Sequence, residues 1–516
     1  VTELHTGSCW KDSARVSSYP ALDRDLDVDV VVIGAGITGL TSAYLLKRAG
    51  RRVAVIERGR VGGVDTMATT AHVTCVTDVD LTTLAKSFGR DHAQAVWDAG
   101  LAARDEIDSI VRDEGIACEW TWVDGFRHSA HDRDDSDKLK EEAALASDLG
   151  FDARFIDAVP GLARPGIAYA GQAKLHPGKY LAHLARVIHG DGSFVFEQTT
   201  SEEVTADPIV VKAASKQGTF SLRCRNVVIA THTPLTGKAN LASATLLQTK
   251  LYLYTSYVVA GRLPSGSLPE ALFWDTGDPY NYIRVDRMKD HDRIIFGGED
   301  HKTGQAPNTE ECFRALAARA TSIFPGLELT HRWSGQVVET NDGVPFIGET
   351  SDRQFAATGF AGNGTTFGTL AAMMARDSVL GLKNPWSELF DVGRTKIKGG
   401  AWDYVKENVD YPYYMIKDLI KQRVVGADGT SLQALRRGDG MILSLDGQKV
   451  AASRDEAGRV TLLSPVCTHM GCTVAWNKAE RTWDCPCHGS RFLSNGDVLS
   501  GPAESPLEKI DARVHA

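Results

Sequence analysis

Two short runs near the C-terminus, Cys467-Thr-His469-Met-Gly-Cys472 and Cys485-Pro-Cys487-His488-Gly-Ser490, constrain this chain more than any other feature. The first opens Cys-x-His and the second holds Cys-x-x-His, with fifteen residues between His469 and Cys485. Each run can deliver one sulfur and one ring nitrogen, so the intervening residues must fold to bring two loops face to face. Thiolate and imidazole donors suit either zinc or an iron–sulfur centre. Zinc needs only four ligands, and each run carries a further cysteine, Cys472 or Cys487, that such a site would not use.

The two runs closely resemble the Rieske proteins of cytochrome bc complexes. The resemblance implies a 2Fe-2S cluster with Cys467 and Cys485 on one iron and His469 and His488 on the other. It also implies a Cys472–Cys487 disulfide tying the loops together, and places Gly501-Pro502-Ala503 as a third, proline-bearing loop over the cluster. Exchanging two thiolates for imidazoles raises the reduction potential above that of an all-cysteine cluster. One position departs from the family. Where its high-potential respiratory members have a tyrosine whose hydroxyl bonds a ligand sulfur, this chain has Phe492, while the other donor, Ser490, is kept. A missing donor destabilises the reduced cluster, so the expected potential is lower and a quinol oxidase is not expected.

At the other end, Val-Asp-Val-Val-Val-Ile over residues 28–33 reads as a buried strand, and Gly34-Ala-Gly36-Ile-Thr-Gly39 turns it into an amphipathic segment over 40–49. Gly36 lets the backbone approach a pyrophosphate at the helix N-terminus, and Gly39 lets helix and strand pack closely. A second strand over 52–56 ends in Glu57, eighteen residues beyond Gly39, where a carboxylate accepts hydrogen bonds from the adenosine ribose, beside Arg58. Strand, turn, helix, strand and acid in that order point to dinucleotide binding. They do not separate NAD from FAD.

The downstream segments make that separation. Asp342-Gly343-Val-Pro345-Phe-Ile-Gly348, then Gly359-Phe-Ala-Gly362-Asn363-Gly364-Thr365-Thr366 opening a helix, and Val227-Val-Ile-Ala-Thr231 resemble the D-amino-acid oxidase family of flavoproteins. Glycine-rich backbone at a helix N-terminus would direct N–H groups at the flavin. With Gly297-Gly-Glu-Asp-His-Lys-Thr-Gly304, the combination resembles bacterial oxidoreductases that fuse this flavin module to a C-terminal Rieske domain. The expected fold is α/β: a Rossmann-like FAD domain (1–100, 155–240 and 325–395) with an inserted antiparallel-sheet substrate domain (101–154 and 241–324). A connector (396–423) with the aromatic stretch Asp410-Tyr-Pro-Tyr-Tyr414, expected to dock on one domain, leads to an all-β Rieske domain (424–516).

What the resemblance implies chemically is a flavin dehydrogenase that oxidises a C–N bond and passes electrons through the cluster to an external one-electron acceptor, a protein or a quinone. FAD is expected to be non-covalent, with His72 as its neighbour. Two other classes stay open: a flavin monooxygenase fed by the Rieske domain, and an NADH-dependent electron-transfer reductase. Family members that bind amino acids clamp the carboxylate with an arginine at the position of Val337, so an amine or N-methyl amine is favoured over an α-amino acid. Arg284 could substitute as a clamp, or sit as a salt-bridged strand residue. Tyr252, Tyr254, Tyr257, Trp274 and Tyr282 could form an aromatic cage for a cation, or core. His128, His131 and Asp132 could begin a mononuclear iron site, but their charged neighbours suggest an exposed turn.

A formal charge of -9 disfavours nucleic acid. Without an uninterrupted apolar run of roughly eighteen residues or a visible cleavable leader, no membrane insertion is expected. Cysteines outside the two runs are scattered singly, which fits a cytoplasmic location.

Overall fold

A computed structural model describes residues 4–233, 250–394, 432–445 and 447–510. The connector over 396–423, with its aromatic stretch, lies outside the described residues.

The Val-rich N-terminal run forms the strand Val30–Ile33, buried at every position, which only a strand covered on both faces needs. It lies at the centre of a six-stranded sheet in the order Phe346–Ser351, Gln354–Thr358, Asn226–Ile229, Val30–Ile33, Val53–Ile56, Phe194–Phe196. All neighbours are parallel except the first pair. The helix Ile37–Arg48 follows the first strand and buries ten of its twelve residues, packed against the late helix Gly364–Leu380. A small four-stranded sheet made of Thr200–Val204, Val210–Ser215, Gly218–Arg223 and Leu26–Asp27 flanks this unit.

The inserted sheet is larger than the sequence suggests. It has ten strands and, besides Thr121–His128, Leu251–Pro264, Leu272–Asp275, Tyr282–Arg287 and His291–Lys302, it recruits Gly166–Lys174 and Glu328–Thr340. The last two come from segments assigned by sequence to the FAD domain. Strand Leu251–Pro264 pairs antiparallel with both His291–Lys302 and Glu328–Thr340, forming a broad platform. The charge-dense stretch after residue 130 is the helix Ser136–Asp148, which buries Glu142 against Arg127 at 2.7 Å.

The C-terminal domain is all β: one three-stranded and one four-stranded antiparallel sheet. Its core gathers Trp483, Phe492, Val474 and Leu507 around Cys467, Cys472 and Cys485. It sits on the platform by backbone contact. A Cβ on Gly304 (φ +80°) would lie 2.8 Å from the Cys485 carbonyl carbon, and one on Gly489 (φ +71°) 2.6 Å from Leu253 Cβ. Gln336 Nε2 donates to Gly489 O (2.8 Å), Gln305 Nε2 to Pro486 O (3.0 Å), and Arg58 Nη2 to Leu499 O (2.9 Å). Among the described residues, no helix is long and apolar enough to cross a membrane.

Candidate functional site

One cavity of about 340 Å³ runs from the glycine turn to the platform sheet. At the turn, Gly34 holds φ +105°, and a Cβ there would strike Ala230 O. A Cβ on Gly39 would fall on Gly34 O, so no larger residue fits this strand–helix junction. The Glu57 carboxylate accepts Ala35 N–H (2.9 Å) and Gly59 N–H (2.7 Å). Burial pushes it up while those two N–H groups pull it down. Each carboxylate oxygen keeps a second lone pair, which suits a ribose hydroxyl. Gly34, Gly36, Glu57, Arg58, Thr231, Gly362, Asn363, Gly364 and Thr365 all line this cavity. Gly39 and Thr366 shape it from behind. Thr366 is fully buried and its hydroxyl donates to Thr74 O at 2.9 Å, tying the helix to the cavity wall.

At the platform end the lining is aromatic and acidic: Trp274, Tyr280, Tyr282, Ser256, Asp78 and Asp300. Ser256 Oγ donates to Asp300 Oδ1 (2.5 Å) and shares a 2.6 Å hydrogen bond with Tyr282 Oη. Tyr280 Oη donates to Asp78 Oδ2 at 2.9 Å. Asp300 is half-buried, which pushes it up to about 7, while Asp78 is exposed on the cavity side. His72 also faces the cavity. Its Nδ1 lies 2.9 Å from Thr70 Oγ1 and its Nε2 3.3 Å from Ile283 O, and burial, then the nearby Arg284 charge, lowers it to about 3. The ring is a neutral neighbour with both nitrogens engaged.

Other sequence candidates lie elsewhere. Arg284 is 1% exposed and points away from the cavity: its Nε donates to Asp286 (2.8 Å), and its Nη1 to the carbonyls of Thr70 (2.8 Å), Ala71 (3.1 Å) and Leu175 (2.8 Å). It holds the cavity wall and does not reach into the space. Tyr252 and Tyr254 share the platform strand with Ser256 but do not line the cavity, and Tyr257 is fully buried against Phe313. His128 is buried, with Nδ1 against Ser129 O (2.9 Å), while His131 is exposed on Arg164. Among the described residues, His128, His131 and Asp132 do not form a metal-sized group. Sequence reasoning missed Asp78 and Asp300, although the segment Gly297–Gly304 that contains Asp300 had stood out.

The two ligand-bearing loops do meet. The implied Cys472–Cys487 disulfide is formed, and Cys485 Sγ lies within 4.8 Å of both its sulfurs. The His469 and His488 rings are 4.9 Å apart and near perpendicular. Cys467 is pulled down to about 7, first because the Cys485 thiol donates to it, then by the His469 N–H, the Ser490 hydroxyl and the Met470 N–H against the cost of burial. Cys485 is pushed up by the same shared proton and by burial, and the Cys487 and His488 N–H groups oppose this. Burial lowers His488 to about 4. Two buried sulfurs ringed by N–H donors, beside two neutral imidazoles, fit a cluster with two thiolate and two histidine ligands. Ser490 Oγ also accepts Ala503 N–H (3.1 Å), joining the second loop to the third. Leu499–Glu504 of that third loop line the dinucleotide cavity, so the two cofactor regions share a wall.

Glycine turn, acidic strand end and second glycine-rich helix start, with an iron–sulfur fold against them, define a flavin-dependent oxidoreductase fused to an electron carrier. The chain belongs to the FAD dependent oxidoreductase family, which matches residues 29–378, and carries a Rieske [2Fe-2S] domain over residues 430–511. Its cofactors are FAD and a Rieske 2Fe-2S cluster. YhfW of Bacillus subtilis (strain 168), whose name marks it as a Rieske 2Fe-2S iron-sulfur protein, is 32% identical over 509 residues, 97% of each chain. Gamma-glutamylputrescine oxidoreductase of Escherichia coli (strain K12) is 23% identical over 399 residues, 73% of this chain and 89% of the other. The crystal structure of glycine oxidase from Geobacillus kaustophilus superposes with a TM-score of 0.61 at 19% identity, covering 72% of this chain and all of that one.

Proposed function

We propose that the protein is an amine dehydrogenase: it oxidises a C–N bond of an amine or N-methyl amine at non-covalently held FAD, and Cys467, Cys485, His469 and His488 carry the cluster through which electrons leave for an external acceptor. The observation that carries this reading is the shared wall, with the third Rieske loop and the glycine turns lining one cavity. FAD supplies the acceptor for a hydride, and the cluster hands electrons on singly. In the substrate, the C–H bond next to nitrogen gives up a hydride and the N–H a proton. The resulting imine is hydrolysed by water to a carbonyl compound and the free amine.

The chain's own residues do the rest. Asp300, held by Ser256 and raised to about 7, is placed to take the ammonium and its proton. Trp274, Tyr280 and Tyr282 provide an aromatic wall that orients a cation and excludes water. Among the described lining residues the only Lys or Arg is Arg58, at the adenosine end, so a substrate carboxylate finds no basic partner beside Val337. The His488 loop rests on the platform through Gly489, whereas the His469 loop is flanked by exposed Val466 (49%) and Met470 (47%), a face suited to an acceptor.

Anaerobic mixing tests the reading. An amine should bleach the flavin, and a second phase should show the cluster becoming reduced as the flavin partly reoxidises. Bleaching by NADH with no response to any amine would overturn it.

A further inference from the structure

The amine reading leaves open what kind of amine the cavity takes, and two features of its lining answer that. Elsewhere in the molecule, buried carboxylates have cationic partners: Asp286 pairs with Lys174 (2.5 Å) and Arg293 (2.6 Å), Glu142 with Arg127 (2.7 Å), and Asp484 with Arg491 (3.2 Å). Asp300 is half-buried and Asp78 is exposed on the cavity side, and the lining pairs neither with a cation. Each is hydrogen-bonded only by a hydroxyl, Tyr280 for Asp78 and Ser256 for Asp300, and neither forms a salt bridge with a described Lys, Arg or His. Two carboxylates on one cavity wall with no described cation beside them make that end of the cavity a place for a cationic ligand.

The two carboxylates also stand at separate posts. Asp78 follows the strand His72–Val73, and Asp300 lies near the end of His291–Lys302, the platform strand beside Leu251–Pro264. The wall between them runs Asp78, Tyr280, Tyr282, Ser256, Asp300, and the rings of Tyr280 and Tyr282 touch, with centroids 5.7 Å apart. Trp274 backs this wall, stacked on Tyr169 at 6.1 Å. An apolar, π-rich strip with an anion at each end is complementary to an alkyl chain with a cation at each end.

We propose, resting on the amine reading above, that the substrate is a diamine: one ammonium group is received at Asp300, where the C–N bond is oxidised, and the second is anchored at Asp78, with the linker lying along Tyr280 and Tyr282. A bound ammonium pairs with carboxylates that the lining leaves without a cation, and at Asp300, which burial raises to about 7, it also relieves that cost. A substrate carboxylate in place of the second ammonium would meet Asp78 as a like charge.

The experiment is anaerobic flavin bleaching by the intact holoenzyme with butane-1,4-diamine and pentane-1,5-diamine, compared with butan-1-amine, pentan-1-amine and 4-aminobutanoate. The diamines are expected to reduce the flavin with a second-order rate constant about ten- to a hundredfold above the monoamine of equal length, the worth of one charge-assisted contact. 4-Aminobutanoate should fall below both. In Asp78→Asn the ratio of diamine to monoamine should fall to about one. Monoamines as fast as diamines, or a ratio that survives Asp78→Asn, would overturn the diamine proposal while leaving the amine reading intact. The comparison in the unmodified enzyme holds even if the variant does not fold. Failure of every amine to bleach the flavin would remove the reading underneath as well.

Discussion

Replacing Arg284 by methionine separates two roles that the sequence left open for this residue. In the structure it makes no contact with the cavity space. Its Nη1 serves three backbone carbonyls, its Nε serves Asp286, and its guanidinium lies 4.8 Å from the Trp10 ring centroid. Burial alone would push Asp286 up, yet Arg284, Arg293 and Lys174 together hold its carboxyl well below the usual range. Removing Arg284 leaves Asp286 two cations, so the loss falls at the low end of the roughly 3–5 kcal/mol for breaking a buried pair. Three carbonyls then lose their donor at about 1–3 kcal/mol each, though relaxation and non-additivity reduce the sum. We expect about 4 kcal/mol of destabilisation, with FAD retention falling in parallel because two of those carbonyls, Thr70 and Ala71, belong to the segment that forms the cavity wall. The assay is urea unfolding followed by FAD release and tryptophan fluorescence. Arg284→Lys should recover less than half the loss, since an ammonium cannot reproduce the fork. If Arg284→Met unfolds at the wild-type urea concentration and instead raises KM only for carboxylate-bearing substrates, Arg284 reaches the substrate and the cavity assignment is wrong.

Asp300 must be ionised to receive a cation, and its value of about 7 lies above that of an ordinary carboxyl, so kcat/KM for flavin reduction should fall as pH drops below 7, and Asp300→Asn should lose this acid limb. A pH profile by stopped flow checks it. Gly39→Ala, whose Cβ would fall on the Gly34 carbonyl oxygen, should strip FAD while the electron-resonance signal of the cluster persists. Met470→Glu, at a position 47% exposed beside His469, should slow acceptor reduction severalfold and leave the unfolding midpoint within about 0.5 kcal/mol of wild type. Phe492→Tyr restores a hydroxyl near the sulfurs. A charge-assisted bond of about 1.5–3 kcal/mol raises a one-electron potential by on the order of 60–130 mV, read by redox titration.

What was legible in the sequence is what chemistry dictates locally. Sulfur and nitrogen donors must be Cys and His at short spacing, and a backbone that approaches a pyrophosphate must be glycine, so the ligand loops and the turn at Gly34–Gly39 announce themselves. The platform was only partly visible, because Gly166–Lys174 and Glu328–Thr340 join it from distant parts of the chain, and pairing across such separations leaves no local pattern. Arg284 was ambiguous for the same reason: its carbonyl partners come from residues 70, 71 and 175. Asp78 carries no motif, and Asp300 sits in the Gly297–Gly304 run without anything in that run marking it as a site. A carboxylate becomes informative only when the fold denies it a cation, and that can be read only from the surroundings.

The contact between the domains bears on the route that electrons take. Gly304 and Gly489 both adopt positive φ where a side chain would collide with the facing backbone or with Leu253, and Gln336 and Gln305 donate to carbonyls of the second ligand loop. A carrier that swung between two docking positions would gain little from backbone approach at this one, since each such contact has to be broken on every turnover. The arrangement suits a carrier that stays docked, with the His488 loop on the platform and exposed Val466 and Met470 flanking the His469 loop. The partner would then come to the cluster. Met470→Glu should therefore slow the external step alone, while Gln336→Leu, which removes the donor to Gly489 O, should slow only the internal one.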